Sequence, residues 1–387
     1  MEQDDSFCLS GVRVLDLSRV LALPYATMIL GDLGAEITKV ERPDKGDDTR
    51  SWGPPYFGDQ SAYYLSANRN KKSITVDMKT AEGQKTIREL AAVSDVVVEN
   101  FRVGKLRKYG LDYESLSKIN PKLIYCSLTG FGQVGPRSKL PGYDFIIQGL
   151  SGIMSITGEP NGKPMKVGVA IVDIVAGLYA AIAVLASLYK REQSGNGEYI
   201  DIALFDTAVS WLANVASNYL VSGKLPERFG NAHPNIVPYQ TFKAKDGYFN
   251  LAIGNDTQWR RFTEIANSEE LKNSRFRTNK DRVNNRKELI ALLEPIFLKK
   301  NVSEWIELLK KESIPCGEIS TLDKVFSDPQ LIFRNMIQTV EHPLGKLKLV
   351  GSPLKLKNHP VKKPVYPPLL GEHTDYVLKN LLKHSNN

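Results

Sequence analysis

The 387-residue sequence predicts an α/β protein with a Rossmann-like large domain, built on a parallel-rich sheet, and a smaller α+β domain. Three observations carry this reading. Short apolar β runs alternate with helical runs through the first half, the texture changes to a hairpin and charged helices beyond Gly223, and the length exceeds what a single core usually fills. The expected organisation is a large domain over 1–222, a small domain over 223–325, and a linker with a C-terminal return to the large domain over 326–387.

In chain order, residues 12–17 read as a strand, 25–33 as a helix stopped by Gly34, and 36–40 as a second strand. After a long loop, 73–76 reads as a strand, 81–93 as an amphipathic helix, 95–99 as a strand, and 123–128 as another after helical turns to Ile119. Helical patterns follow over 173–192 and 204–221, with a strand over 199–203 between them. Residues 239–253 form a hairpin pattern around Asp246-Gly247, and charged helices fill 258–311. This βαβ rhythm predicts helices on both faces of the sheet and ligands at the carboxyl ends of its strands.

Composition narrows the function. The net charge of +8 is scattered along the chain, with no arginine-rich arm or zinc-finger spacing. It fits a small phosphate- and carboxylate-bearing ligand better than nucleic acid. Cys8, Cys126 and Cys316 are odd in number and form no CxxC pair, and the five histidines are scattered, so neither a disulfide framework nor a metal site is expected. The acidic start, with Glu2, Asp4 and Asp5, is neither a secretory signal nor a transit peptide. A cytoplasmic protein is expected, with the mitochondrial matrix as the alternative if a presequence has been removed. Residues 167–188 are almost wholly apolar, but Asp173 lies among them, and an isolated carboxylate in lipid is costly; a buried helix is expected rather than a membrane span.

Three sets of residues bear on chemistry. Gly130-Phe131-Gly132-Gln133-Val134-Gly135 has the spacing of a dinucleotide loop, but Pro136 follows and no helix is predicted next, which argues against nicotinamide binding. Asp173 must have its burial compensated, either as the N-cap of the helix that follows or as a nucleophile toward a thioester carbonyl; the residues alone leave both open. Arg42 and Asn100-Phe101-Arg102 end predicted strands, where solvated charge is the default and phosphate contact the alternative.

At these residues the sequence resembles the family III (CaiB/BaiF-type) CoA-transferases, from about Gly11 to about Leu378. The motifs include Val14-Leu15-Asp16-Leu17-Ser18-Arg19-Val20, Lys39-Val40-Glu41-Arg42-Pro43, Val98-Glu99-Asn100-Phe101, Gly142-Tyr143-Asp144, Ala170-Ile171-Val172-Asp173 and Pro367-Pro368-Leu369-Leu370-Gly371. The resemblance implies an interlocked homodimer that uses acyl-CoA as substrate and holds no permanent cofactor. It implies Asp173 as the nucleophile, forming an anhydride and then an aspartyl-CoA thioester. CoA contacts carry over to Arg19, Val20, Leu21, Ala22, Arg42, Val76, Lys79, Asn100, Phe101, Arg102, Lys108, Tyr143 and Asp144. The related α-methylacyl-CoA racemases carry a His where Tyr143 stands, and a tyrosine is poorly suited to α-proton exchange near neutral pH. A catalytically inert CoA-binding protein is the remaining alternative.

Segments 47–55, 63–66, 68–74 and 236–240 resemble the succinyl-CoA:glutarate (or hydroxymethylglutarate) branch, which implies a dicarboxylic acid whose distal carboxylate needs a cation. Arg50, Arg19 and His233 are the candidates. The stretch holding Gly254 and Asn255 matches a glycine-rich cover in formyl-CoA transferase, but has one glycine only.

Overall fold

A computed structural model describes residues 7–380. The chain forms two compact units. One runs to Gly152, resumes over Val167–Leu212 and returns from Pro329; the other comprises Ile153–Lys166 and Ala213–Asp328. The divisions thus fall at 212/213 and 328/329, against the expected 222/223 and 325/326, and the second unit also takes in a short earlier segment.

The first unit is built on six strands, β1 (Arg13–Asp16), β2 (Glu36–Glu41), β3 (Lys71–Thr75), β4 (Val96–Glu99), β5 (Ile124–Thr129) and β6 (Glu198–Ala203). Their order is β3-β2-β1-β4-β5-β6 and every pairing is parallel. This is a doubly wound sheet, as expected from the βαβ rhythm, and its two halves diverge between β1 and β4. The central strands are apolar on both faces because both are covered: Val14, Leu15, Val96, Val97, Ile124 and Tyr125 are all buried.

Helices α1 (Ala22–Asp32), α2 (Ala62–Ala67), α3 (Ala81–Ala92), α4 (Tyr113–Ile119), α5 (Asp144–Leu150), α6 (Ile171–Ser194) and α7 (Leu204–Ser210) follow the chain order. Ile87 and Leu90 of α3 and Leu116 of α4 pack with Leu15, Val97 and Tyr125. By contrast, α1 lies against β2, and α6 against β5 and β6. Helix α1 begins three residues before the sequence reading placed it. Pro24 falls in its first turn, where a missing N–H costs nothing.

The second unit holds α8 (Ala213–Ser222), β7 (Tyr239–Lys243), β8 (Tyr248–Ala252), α9 (Asp256–Ala266), α10 (Arg286–Phe297), α11 (Val302–Lys311) and β9 (Cys316–Glu318). The helical run expected over 204–221 is two helices, α7 and α8, separated where Ala213 takes a φ of 44°. The three strands form an antiparallel sheet in the order β9-β8-β7. Its core gathers Phe242, Phe249, Trp259, Phe262, Phe297 and Trp305. Back in the first unit, β10 (Ile337–His342) and β11 (Gly345–Val350) form a hairpin, and α12 (Thr374–Asn380) adds Val377 to the core beside α3.

Candidate active site

The point where the strand order reverses is occupied by the loop after β1. Asn100, at the end of β4, clamps the Arg19 backbone from both sides: its Oδ1 accepts from Arg19 N–H at 3.0 Å and its Nδ2 donates to Arg19 C=O at 2.7 Å. Next in the loop, Val20 has a φ of 70°, a left-handed conformation that costs a β-branched residue roughly 1–3 kcal/mol. Its N–H donates to the Asp47 carboxylate at 3.2 Å. Asp47 in turn pairs with the fully buried Lys39 at 2.9 Å, and Lys39 Nζ donates to Ser18 C=O at 2.8 Å. Burial would raise the Asp47 pKa, but Lys39 and the Thr49 N–H outweigh it and hold the group down at about 2. Buried charge therefore fixes the strained loop that presents Arg19, Leu21 and Ala22.

Asp173 lies in the first turn of α6. The N-cap position is Ala170, and Asp173 makes no capping bond, so the N-cap reading of this residue does not hold. One cleft is lined by Arg19, Leu21, Ala22, Asn100, Arg102, Gly130, Tyr143 and Asp173. Close backbone contacts shape it. A Cβ on Gly177, one turn beyond Asp173, would lie 2.4 Å from Ala22 C=O, and one on Gly130 would lie 2.7 Å from Gly142 Cα. The glycine spacing that imitates a dinucleotide loop thus brings the Gly142-Tyr143-Asp144 segment against the end of β5, and no helix follows before Asp144.

Burial, and then the Asp144 charge, push the Asp173 carboxyl up to about 7. The hydroxyl of Tyr63, on α2, is pushed up to about 12 by burial and then by Asp173 and Asp144. Tyr63 therefore stays protonated near the nucleophile, a role the sequence reading missed because it took this residue only as part of a substrate-branch motif.

A second cleft, lined by Arg19, Arg42, Val76, Lys79, Phe101 and Lys105, abuts the first through their shared residues Arg19 and Phe101. Burial, and then the like charges of Arg19, Lys79, Arg102 and Arg42, push the Lys105 ammonium below its usual value. Arg19 and Arg42 both pair with Asp48. Among the described residues Lys79, Arg102 and Lys105 have no carboxylate partner. Five cations with one carboxylate, Asp48, among them leave a strong positive excess that suits a polyanion. The expected Lys108 lines neither cleft; the tight turn Leu106–Tyr109 carries it elsewhere, and Lys105, one turn earlier, takes the place.

Arg50 lines neither cleft, and its guanidinium is taken up by protein groups. Its Nε and Nη2 bond Glu41 at 2.8 and 2.7 Å, its Nη1 bonds Gln60 at 2.9 Å, and its guanidinium lies 3.8 Å from the Tyr64 ring centre. Asn100 lines the cleft with its side chain occupied by the Arg19 backbone, and the expected Asp144 lines neither cleft: it is buried, with both carboxylate oxygens bonded to protein groups. In the second unit, His233 Nδ1 accepts from Asn235 N–H at 3.0 Å, and its pKa is lowered by burial and then by Arg286. Gly254 N–H donates to Gln258 Oε1, and Asn255 Oδ1 accepts from Gln258 N–H. The stretch compared with a glycine-rich cover is thus a capped helix start. Among the described residues no cluster of three or more His, Cys, Asp or Glu side chains is placed to hold a metal.

A doubly wound sheet that sets a carboxylate of raised pKa beside unpaired cations suits chemistry on a phosphate-rich anionic ligand. The chain belongs to CoA-transferase family III, whose model matches residues 9–374, and it is an enzyme of the CoA-transferase type. It is 47% identical over 380 residues to the human succinyl-CoA:glutarate CoA-transferase, covering 98% of this chain and 87% of that protein. It is 45% identical to the succinate–glutarate CoA-transferase of Agrobacterium fabrum, covering 96% of this chain and 95% of that one. The crystal structure of a CaiB/BaiF family protein from Brucella suis superposes with a TM-score of 0.85 at 46% identity, covering 98% of this chain and all of that one. The family and the fold that the sequence motifs implied are borne out.

Proposed function

We propose that this enzyme moves CoA from an acyl-CoA donor such as succinyl-CoA to a dicarboxylic acid such as glutarate through covalent intermediates on Asp173. The observation that carries the reading is the unpaired, basic carboxylate of Asp173 in a cleft that adjoins the cationic one. Asp173 attacks the donor thioester carbonyl; the C–S bond breaks, CoA leaves as thiolate, and a mixed anhydride forms. The thiolate then attacks Cγ of Asp173 and expels the donor acid, leaving an aspartyl-CoA thioester. The acceptor carboxylate repeats the two steps in reverse. No net proton is consumed, which suits a site with one ionisable nucleophile and a tyrosine that stays protonated. Such a tyrosine can donate to the developing oxyanion.

The names of the 45–47% identical relatives support succinate and glutarate as the acids. Arg19 is the cation assigned to the distal carboxylate: it lines the nucleophile's cleft, and its contact with Asp48 is long, at 3.4 Å. The working form is a homodimer in the cytoplasm or mitochondrial matrix.

The test is intact mass after incubation with succinyl-CoA and hydroxylamine. Hydroxylamine traps an activated aspartyl group as a hydroxamate, so a small mass gain mapped to Asp173 and absent from Asp173→Ala is the expected result. No gain with succinyl-CoA or with a panel of other acyl-CoA donors would overturn it.

A further inference from the structure

We propose that Asp144 is a positioning residue for the nucleophile: from α5 it caps the first turn of α6, which withholds from Asp173 the helix N–H groups that would otherwise stabilise its charge, and it sets a second carboxylate beside it. The inference rests on the reading of Asp173 as nucleophile.

The argument begins with what a carboxylate at a helix start ordinarily does. Free N–H groups and the helix dipole favour an anion there, and an acidic side chain in the first turn gains from them. In this helix those donors are already taken. Asp144 Oδ2 accepts from the Val172 N–H at 2.8 Å and from the Asp173 N–H at 3.4 Å. Its Oδ1 accepts from Gln148 Nε2 at 2.6 Å, one helical turn along α5. Gln148 is fully buried, and its Oε1 accepts from the Val167 N–H at 2.9 Å, tying down the approach to α6 as well. Two side chains of α5 therefore fix where α6 begins, and with it the Cα of Asp173.

The groups that act on Asp173 are few. Asp144 faces it from α5 with a like charge, and the neutral Tyr63 faces it from α2; the cations Arg19, Arg102 and Lys139, the carboxylate of Asp48 and the phenol of Tyr143 line the same cleft. Burial comes first and Asp144 second among the causes that raise its pKa to about 7. A more basic carboxylate is the better nucleophile, and the cost is protonation below neutral pH. Asp144 sets that compromise.

The experiment titrates the full-length protein labelled with 13C at the aspartate carboxyls, with the Asp173 resonance assigned from its loss in Asp173→Asn. The wild-type midpoint is expected at about 7. Asp144→Asn keeps an acceptor for the α6 N–H groups and removes the charge, at the loss of the bond from Gln148 Nε2; its Asp173 midpoint should fall by about one pH unit, and the acid limb of kcat should move with it. Asp144→Glu keeps the charge but lengthens the arm; the midpoint should stay raised while kcat falls at unchanged KM for the acyl-CoA. A merely structural Asp144 would lower kcat in both variants at every pH without moving either midpoint. An Asp173 midpoint in Asp144→Asn within about 0.3 pH unit of the wild type, or one in Asp144→Glu that falls to the ordinary carboxylate range, overturns the proposal. The titration needs no substrate, so a shifted midpoint in a protein that never transfers CoA would sink the transferase reading and leave the positioning role standing.

Discussion

At the scale of the residue, Asp173 is costly to fold. Its carboxyl is raised from an ordinary value of 3.8 to about 7, so between those limits the folded chain holds a proton that the unfolded chain releases. The stability linked to this group is complete below about pH 4 and is lost as pH rises to 7, a penalty of up to about 4 kcal/mol, less what solvent at the cleft screens. Asp173→Asn should abolish transfer and raise the melting temperature at pH 8, with the gain reduced to about a quarter at pH 4.5. An equal shift at both pH values would exclude a buried-charge origin. The sequence marked Asp173 as an acid in an apolar run, yet could not tell cap from nucleophile, because its neighbour Asp144 lies 29 positions upstream. The occupied state of Arg50 was hidden for the same reason: its partners Glu41, Gln60, Tyr64 and Pro368 are scattered over more than 300 positions. Arg50→Lys should therefore destabilise the fold, by about 2–4 kcal/mol, without changing the preference for glutarate over a monocarboxylic acid in kcat/KM. Arg19→Lys should change that preference; the opposite pattern would return the substrate role to Arg50.

At the scale of the element, the position of α1 against α6 decides whether the loop at Leu21 and Ala22 meets the nucleophile. Gly177 makes that contact possible, because a methyl group in its place would press on the Ala22 carbonyl. Gly177→Ala gains intrinsic helix propensity, yet should destabilise by roughly 1–3 kcal/mol through overpacking. Since neither Ala22 nor Gly177 lines the cationic cleft, affinity for CoA should hold within about threefold while kcat falls at least tenfold. Isothermal titration with CoA beside steady-state kinetics separates the two effects, and a variant that loses both equally would mean the helix pair supports the whole fold. Strands and long helices were legible because their apolar periods are local. Their exact starts were not, as Pro24 and Ala213 show: one is a breaker that lies harmlessly within a first turn, the other an ordinary helix former forced to a φ of 44°.

At the scale of the whole molecule, the parallel sheet followed from the βαβ rhythm, but the strand order, and so the place where β1 and β4 diverge, is fixed by long-range pairing that no local pattern records. Helix α6 is long and apolar enough to cross a membrane by length and composition alone. One side of it packs inward through Val172, Ala176, Ala180 and Val184, while Leu178, Ile182 and Tyr189 stand exposed on the other. A helix apolar on both sides needs a second cover. Further large apolar groups, Leu220, Val221 and Leu225, are exposed in the second unit. We propose that a second copy of the chain supplies the cover for the exposed side of α6. Ile182→Glu should then convert a dimer to a monomer in sedimentation velocity and abolish transfer, although Ile182 is not among the residues lining the cleft with Asp173. A wild-type protein that sediments as a monomer, or an Ile182→Glu variant that stays dimeric and active, would show that this face of α6 is not the dimer contact.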